Sequence, residues 1–464
     1  MGKSKPKPSK NGHATEPAEP PKACYVLSLE IENVRCFGPK QTLDLSDGNG
    51  RPAQWTIILG ENGVGKTTLL QCLVCFDWQS PTATTDGESS FPFARVRFTH
   101  PKRPASQYYG IDPPDLHRGN NPLAHARSAL RLAIGETLRT AREESQNPAE
   151  WTLGGTFSNE MSLSQFVCFA YGAARRLIQG SQPGNAVDDP QGTLFSPTAS
   201  LRNAEEWFLS HDHAAVKNWE GSKQAAHRRD LAKDLLIKIM PDGEVNDIRF
   251  NPGEGVYPRP QVEFETPFGW VPLRRLGYGY QTLIAWVTDL VSRMAERYPD
   301  SPDPLKEPAI VVVDEIDLHL HPTWQRKLIG FLTERFPNTQ FIATAHSPLV
   351  VQAAANANLA VLRREGDHVV IDNDVDQIRG WRVDQILTSD LFGLSSARPP
   401  EVEKLFERKQ QLLAKKRLSA DEKDELARLN AEIEKVPTGE TAQHAKEMDA
   451  IRKALELLQK KSPA

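Results

Sequence analysis

The sequence lacks the features of a membrane or secreted protein. No segment approaches the roughly 18 consecutive apolar residues that a membrane span needs, and the N-terminus has no apolar signal-peptide core. Only 5 of the 464 residues are cysteines, and Cys72 and Cys75 have no second pair with which to build a zinc site. These absences predict a cytoplasmic protein without membrane contact, with Cys72 and Cys75 packed in the core.

The sequence also has little excess charge of either sign. Its 56 lysines and arginines nearly balance its 60 aspartates and glutamates, which gives a net charge of −4. This balance excludes a protein that coats nucleic acid with a uniformly basic surface, so any such contact needs a local basic patch. The candidate patches are residues 95–103, 227–229 and 415–417, each of which is also explained as solvated surface.

Three regions differ in pattern along the chain. Residues 1–22 are rich in lysine and proline without hydrophobic periodicity, which predicts a disordered basic tail or, alternatively, an arm for DNA. Residues 23–395 have the pattern of an α/β head with proline-rich insertions between residues 76 and 121. Residues 396–464 have apolar residues at three- and four-residue steps, which predicts three short amphipathic helices. These helices serve either to cover the head or to bind a partner or another copy of the chain.

Local patterns predict the main elements of the head. Alternating or continuous apolar residues predict strands, and helical periodicity with caps predicts helices. Residues 128–138 fit a strand or a helix equally well. The expected strands are at residues 27–31, 41–45 and 55–59, a hairpin is expected at 261–273, and helices are expected at 200–209 with Ser200 as N-cap, at 224–240 and at 323–335.

The strongest motif is a phosphate-binding loop. Residues 60–67 have the sequence G-E-N-G-V-G-K-T between an apolar strand and an apolar helix. Glycines let the backbone fold closely around phosphates, and the loop N–H groups and helix dipole favour anions. We expect Lys66 to reach the β- and γ-phosphates of ATP and the Thr67 hydroxyl to bind Mg²⁺. The residues predicted to bind the nucleotide are Gly60, Glu61, Asn62, Gly63, Val64, Gly65, Lys66, Thr67 and Thr68.

Two later strands end in polar residues that complete such a site. One apolar strand is followed by Asp314 and Glu315, and the next apolar strand along the chain ends at His346. We expect Asp314 to hold the magnesium ion through water and Glu315 to polarise the attacking water. His346 should face the γ-phosphate, because its strand should lie beside the acidic strand. The predicted catalytic residues are therefore Lys66, Glu315 and His346.

These motifs together resemble the ATPase heads of the ABC type. The long separation between Lys66 and Asp314 is similar to the RecF, SMC and OLD lineage of ATPases rather than to transporter ATPases. Residues 29–37 and 314–322 also resemble that lineage. The resemblance covers residues 25–373 and implies an α/β P-loop head of two lobes, with ATP and Mg²⁺ as its cofactors.

Heads of this lineage work as dimers, in which ATP lies between the phosphate loop of one subunit and the signature helix of the other. The matching segment has the sequence L-G-Y-G-Y-Q at residues 276–281, so the resemblance assigns Gly277, Gly279 and Tyr280 to the partner's nucleotide. Gly277 stands where the family usually has serine, which removes a hydroxyl expected to hold the γ-phosphate. We therefore expect ATP to close a head-to-head dimer or a higher homo-oligomer and to be hydrolysed slowly.

Other segments allow more limited interpretations. His319 and His321 resemble the segment that packs across such dimers, and a zinc site would need a third ligand that is not evident. Residues 171–176 are a candidate contact near the nucleotide in place of a recognisable Gln-loop. The carboxylates of Glu365 and Asp372 are too close in sequence for a TOPRIM nuclease, so we predict no nuclease site in this chain.

A finer resemblance is to the ATPase subunit of the bacterial Septu anti-phage system. It rests on residues 171–176, 201–207, 276–282, 381–387 and 392–394. It implies a complex with a separate HNH endonuclease, which ATP keeps restrained until infection. Two alternatives stay open. One is a RecF-like DNA-repair ATPase that binds DNA across its dimer, and the other is a structural scaffold in which ATP is a fixed clamp.

Overall fold

The structure is a computed structural model that describes most of the chain between residues 23 and 436. Outside the described residues are 1–22, 33, 75–126, 136–137, 144–148, 153–165, 176–188, 218, 220, 242, 254–258, 376–377, 416 and 437–464. The predictions for the N-terminal tail, the proline-rich insertion, the first basic stretch and the last tail helix therefore lie outside the described residues. The chain separates into two units, residues 1–386 and 387–464, whereas the sequence pattern changes at residue 396.

Among the described residues, the strands all lie in the first unit and the α-helices lie in both units. The strands are β1 (Ala23–Glu32), β2 (Gln41–Asp44), β3 (Trp55–Gly60), β4 (Arg127–Gly135), β5 (Ala149–Thr152), β6 (Cys168–Tyr171), β7 (Asp247–Asn251), β8 (Gln261–Thr266), β9 (Gly269–Pro272), β10 (Ala309–Val313), β11 (Thr339–Thr344), β12 (Asn358–Glu365) and β13 (His368–Asp372). The helices are α1 (Lys66–Val74), α2 (Leu138–Glu143), α3 (Gly192–Phe195), α4 (Ala204–Val216), α5 (Ser222–Ile239), α6 (Tyr278–Arg297), α7 (Pro322–Arg335), α8 (Pro348–Ala353), α9 (Val383–Leu387), α10 (Pro400–Leu413) and α11 (Ala420–Ile433).

A mostly parallel sheet forms the centre of the first unit. Its strand order is β13-β12-β3-β11-β10-β6, and only β13 at one edge runs antiparallel. Every residue of β10 and β11 is buried, as expected for strands covered on both faces. Parallel pairing brings the carboxyl ends of β3, β10, β11 and β6 to one edge of the sheet, which is where an open α/β sheet binds ligands.

An antiparallel sheet with the order β2-β1-β4-β5 joins the central sheet through a buried amide. The side chain of Gln340 in β11 donates to the Val26 carbonyl and accepts from the Val26 N–H, both at 2.8 Å. Of residues 128–138, which fitted strand and helix equally well, residues 128–135 belong to β4, which pairs with β1 along its length, and Leu138 begins α2. Pairing with a distant strand therefore decides the conformation of this segment, which the spacing of its apolar residues does not.

A small antiparallel sheet, β7-β8-β9, and helices α4, α5 and α6 form the remaining part of the first unit. The predicted hairpin and helices are present, but Ser200 is not the N-cap of α4. The cap is Asn203, whose side chain accepts from the Glu206 N–H. Helix formation starts later because the backbone N–H of Arg202 donates to the Asp289 carboxylate on α6, which holds the preceding residues outside the helix.

The second unit contains the packed helices α10 and α11. A capping box begins α11, since the Ser419 and Glu422 side chains each accept from the other's backbone N–H. Arg408 on α10 donates to the carboxylate of Glu425 on α11 at 2.7 Å. Across both units, the described helices are all too short or too polar to cross a membrane.

Candidate nucleotide-binding site

The phosphate loop adopts a backbone that requires its glycines. Gly60, Gly63 and Gly65 have φ values of 146°, 79° and 90°, in the region that L side chains rarely adopt. A Cβ at Gly65 would lie 2.5 Å from the Cys36 sulfur, and one at Gly60 would lie 2.8 Å from the Leu362 carbonyl oxygen. The loop can therefore close tightly only with glycine at these positions.

The Lys66 ammonium is held inside this loop. Its Nζ donates to the carbonyl oxygens of Gly60 and Glu61, both at 2.8 Å, and the residue is only 7% exposed. Burial lowers the pKa of Lys66, and the carboxylates of Asp314, Glu315 and Asp317 oppose that shift. A cation thus lies where the predicted phosphates would provide acceptors, at the start of α1.

Two hydroxyls hold the carboxylate of Asp314. Thr67 Oγ1 on α1 donates to Asp314 Oδ2 at 2.7 Å, and Thr344 Oγ1 on β11 donates to Asp314 Oδ1 at 2.6 Å. The two residues predicted to bind magnesium, far apart in sequence, are therefore in direct contact. Their hard oxygen atoms fit Mg²⁺, which proteins usually hold through one or two carboxylates together with phosphate and water.

The backbone of Glu315 is fixed on both sides. Its N–H donates to Thr344 Oγ1 at 2.7 Å, and its carbonyl accepts from Arg175 Nη2 at 2.7 Å and from the Leu318 N–H at 3.0 Å. Its φ of 49° is left-handed, which is uncommon for a residue with a side chain and costs about 1–2 kcal/mol. Thr344 on β11 and Arg175 after β6 thus hold Glu315 in a strained backbone conformation beside Asp314.

Arg175 is a member of the site that the sequence identified only as part of a segment. It follows β6, the neighbour of β10, and is 2% exposed. Its Nε and Nη1 have no hydrogen-bond partner among the described residues. Burial lowers its pKa to about 10, which the carboxylates of Asp314, Glu315 and Asp317 oppose, so it stays a cation at neutral pH. The feature of the sequence that points to Arg175 is its position shortly after β6, because β6 and β10 end at the same edge of the sheet.

His346 lies at the end of β11, beside the acidic strand as predicted. Its backbone N–H donates to Asp317 Oδ2 at 2.9 Å, and its side chain is exposed. Ser347, the next residue, donates to Gln325 on α7 at 2.6 Å and caps α8. The loop that carries His346 is therefore anchored, and the role of its imidazole at the γ-phosphate remains a prediction.

The signature segment opens α6 at an exposed helix N-terminus. Gly277 is the exposed N-cap, and the N–H groups of Tyr278, Gly279 and Tyr280 in the first turn have no intrahelical acceptor. A Cβ at Gly277 would meet only the Tyr280 ring, at 3.5 Å, whereas one at Gly279 would lie 2.3 Å from the His319 carbonyl oxygen. Glycine is therefore required for packing at residue 279 and not at residue 277.

The two histidines after Glu315 have different surroundings. The exposed His319, with a φ of 63°, packs its ring edge-on against Tyr278 with 4.8 Å between ring centres. His321 accepts from the Thr323 N–H and caps α7. Among the residues that the structure describes, no three metal-ligating side chains of the His, Cys, Asp or Glu type cluster together. His319 therefore packs beside the signature within its own chain, and the segment's place at a dimer face stays a prediction.

A buried network ties the strand before Arg175 to the signature helix. The Tyr171 hydroxyl donates to Asp289 Oδ2 at 3.0 Å, and Arg293 Nε donates to the same oxygen at 2.6 Å. Asp289 and Arg293 both lie on α6. Trp286 of that helix contacts both the Tyr171 ring and the Arg175 guanidinium, with centres 5.7 and 6.0 Å away. The signature and the acidic strand are thus linked within one chain.

Parts of the chain are similar to known proteins. Residues 28–146 match the family described as "AAA domain", and residues 180–352 match "AAA domain, putative AbiEii toxin, Type IV TA system". The Septu protein PtuA of Bacillus mycoides is 26% identical over 92% of this chain and 53% of its own length. The Escherichia coli protein named "Retron Ec83 probable ATPase" is 35% identical over 27% of this chain and 22% of its own.

Solved structures that match part of the chain are more distant. An SMC head bound to the C-winged helix domain of ScpA matches 75% of this chain and 97% of that chain, with 15% identity and a TM-score of 0.41. The chain spans about half or less of the length of the curated relatives named above. The first AAA match contains Lys66 and the second contains Asp314, Glu315 and His346. The chain therefore resembles ATPase domains of the P-loop type in two segments and PtuA over most of its length, as its motifs predicted.

Proposed function

We propose that the chain is the ATP-binding, slowly hydrolysing ATPase subunit of a bacterial anti-phage defence complex that senses infection and controls a separate HNH nuclease. The observation that carries the ATPase part is the direct contact of Thr67 with Asp314, which assembles the phosphate loop and the acidic strand into one site. The defence part is supported by the similarity to PtuA over 92% of this chain.

Binding of ATP starts at the phosphate loop. The loop N–H groups and the N-terminus of α1 receive the phosphates, and Lys66 exchanges its carbonyl acceptors on Gly60 and Glu61 for phosphate oxygens. Thr67 and Asp314 would hold the magnesium ion, Asp314 through water. Mg²⁺ would supply positive charge that offsets the negative charge developing on the phosphates.

Hydrolysis then depends on Glu315. Its carboxylate orients the attacking water and accepts its proton, while its fixed backbone keeps the side chain at the sheet edge. His346 completes the γ-phosphate contacts from the end of the next strand. Lys66 stabilises the charge that develops on the transferred group.

The signature half of the site belongs to a second copy of the chain. The exposed N-terminus of α6 offers the N–H groups of residues 278–280 to an anion, and Tyr278 is 51% exposed. Gly277 provides no hydroxyl for the γ-phosphate, which favours ATP as a clamp and sensor with slow turnover. The head-to-head dimer, or a higher homo-oligomer, is the state that ATP closes.

The nuclease is a separate partner in this proposal. ATP-bound heads keep the HNH endonuclease restrained, and loss of that state on infection releases it. DNA or another phage-derived nucleic acid is the candidate trigger or target. Co-expression with the neighbouring open reading frame tests this directly: an HNH nuclease that co-purifies with the chain supports the proposal, and a co-expressed HNH nuclease that does not co-purify contradicts it.

An ATPase assay of the full chain separates this proposal from its alternatives. We expect slow hydrolysis that DNA does not stimulate and that Lys66→Ala abolishes. Hydrolysis stimulated by DNA in the isolated protein would favour a DNA-repair ATPase. ATP retained through purification in an assembly that Glu315→Gln leaves unchanged would favour a structural scaffold.

A further inference from the structure

We propose that Arg175 is a positioning residue for ATP hydrolysis, which holds the backbone of Glu315 so that its carboxylate stays aimed at the attacking water. The inference rests on the ATPase function proposed above and identifies a residue that supports the water-activating carboxylate. Arg175 acts through the Glu315 main chain, at a distance from the reacting atoms.

The first support is the contact itself. Arg175 Nη2 donates to the Glu315 carbonyl oxygen at 2.7 Å, across the boundary between the segment after β6 and the end of β10. A hydrogen bond from a charged donor is roughly twice as strong as one between neutral groups. The Leu318 N–H donates to the same carbonyl at 3.0 Å, but it belongs to the following turn and moves with Glu315. Arg175 therefore provides the anchor from outside that turn.

The second support is that Glu315 needs an anchor. Its φ of 49° lies in the left-handed region, where a side chain is unfavourable by about 1–2 kcal/mol. Such a conformation persists only when its surroundings impose it. Thr344 holds the N–H side of the residue and Arg175 holds the carbonyl side. Without Arg175, one side of Glu315 is free to relax toward ordinary backbone geometry.

The third support is the cost of placing this arginine where it is. Arg175 is 2% exposed, and two of its nitrogens, Nε and Nη1, have no acceptor among the described residues. An incompletely paired buried cation is unfavourable for folding. A purely structural role at this position would be met better by an apolar side chain packed on Trp286. We therefore infer that the charge of Arg175 serves to hold the backbone of Glu315 at the end of β10.

Arg175→Met tests the proposal, because methionine fills much of the same space and removes the donor. Measured in single-turnover assays with excess protein, the rate constant of hydrolysis should fall by about ten- to a hundredfold. The Kd for a non-hydrolysable ATP analogue should stay within about twofold, since the phosphate loop is untouched. Arg175→Lys, which keeps a charged donor, should recover part of the rate.

A double-mutant cycle with Glu315→Gln separates positioning from general damage. Once the carboxylate is gone, its position no longer matters, so Arg175→Met should lower the residual rate by less than about twofold. Arg229→Met is the matched control, since Arg229 is paired with carboxylates, those of Asp212 and Asp230, outside the network that reaches Glu315. Its loss in rate should be the same in both backgrounds, and thermal melting reports the stability of every variant.

Each outcome decides a different point. An unchanged rate in Arg175→Met, or a loss that is equally large in the Glu315→Gln background, would overturn the positioning role alone. A large rise in Kd at an unchanged rate would overturn it too and assign Arg175 to nucleotide binding. If Arg175→Met fails to fold, Arg175→Lys replaces it in the same assays. A rate below that of the wild type at an unchanged Kd would support the positioning role, and an unchanged rate would overturn it. A wild-type chain that does not hydrolyse ATP would instead overturn the ATPase proposal itself.

Discussion

The phosphate-loop side and the signature side of the nucleotide site are built in opposite ways. On the phosphate-loop side, polar groups are buried and already paired within the chain: Lys66 with loop carbonyls, Asp314 with Thr67 and Thr344. On the signature side, Gly277 and Tyr278 are exposed, and the first N–H groups of α6 have no intrahelical acceptor. On one side the polar groups are paired within a single chain, and on the other an exposed helix N-terminus lies where we propose that a second copy's nucleotide binds.

The difference is informative because the two sides are connected. Tyr171, at the end of β6, donates to Asp289 on the signature helix, and Arg175 a few residues later donates to Glu315. If α6 shifts on the proposed dimer closure, these contacts would carry the shift to Glu315, the residue that we propose activates water. We therefore interpret the phosphate-loop side as the preorganised half and the signature side as the half that a second chain completes.

The largest expected effect comes from the preorganised half. Glu315→Gln should lower the rate constant of hydrolysis by about a hundredfold or more, since an amide cannot accept the proton of the attacking water. The backbone contacts to Thr344 and Arg175 remain, so ATP affinity should change little. The exposed Glu334→Gln on α7 is the matched control. A Glu315→Gln chain as active as Glu334→Gln would remove Glu315 from the reaction.

On the signature side, the expected effect is smaller and of the opposite sign. Gly277→Ser should speed hydrolysis by about two- to tenfold, because it adds a hydroxyl donor where the partner's γ-phosphate is expected. The backbone accepts a side chain there, with an ordinary φ of −57° and no contact closer than 3.5 Å. Steady-state rates with a melting curve as folding control check this. A rate unchanged from wild type would show that the missing hydroxyl does not limit turnover.

The link between the two halves should give the smallest effect. Tyr171→Phe removes a buried hydroxyl and leaves Asp289 with fewer donors, which should lower the free energy of unfolding by about 1–2 kcal/mol. Denaturant unfolding measures this value. Tyr298→Phe, which loses a hydrogen bond to the Pro308 carbonyl outside the site, is the control. If the link transmits closure, Tyr171→Phe should also slow hydrolysis, whereas Tyr298→Phe should not.

Much of the fold and the preorganised half could be predicted from sequence, because their signals are local. A buried apolar strand, a glycine loop and two carboxylates at a strand end each consist of residues that are adjacent in sequence, so each can be recognised without knowledge of the tertiary structure. What could not be predicted depends on contacts across the chain. The strand at residues 127–135 is fixed by pairing with β1, and the start of α4 is fixed by Asp289, some eighty residues away. Arg175 was visible only as one of two arginines in a candidate segment.

The most direct test of the two-chain site is a mixing experiment. Lys66→Ala disables the phosphate loop and keeps the signature, whereas Gly277→Trp blocks the signature face at an exposed position where its own chain leaves room. Each variant alone should be inactive. An equal mixture forms mixed dimers with one intact composite site, so hydrolysis should return to about a quarter of the wild-type rate. A mixture as inactive as its components, or a fully active Gly277→Trp chain alone, would contradict the account.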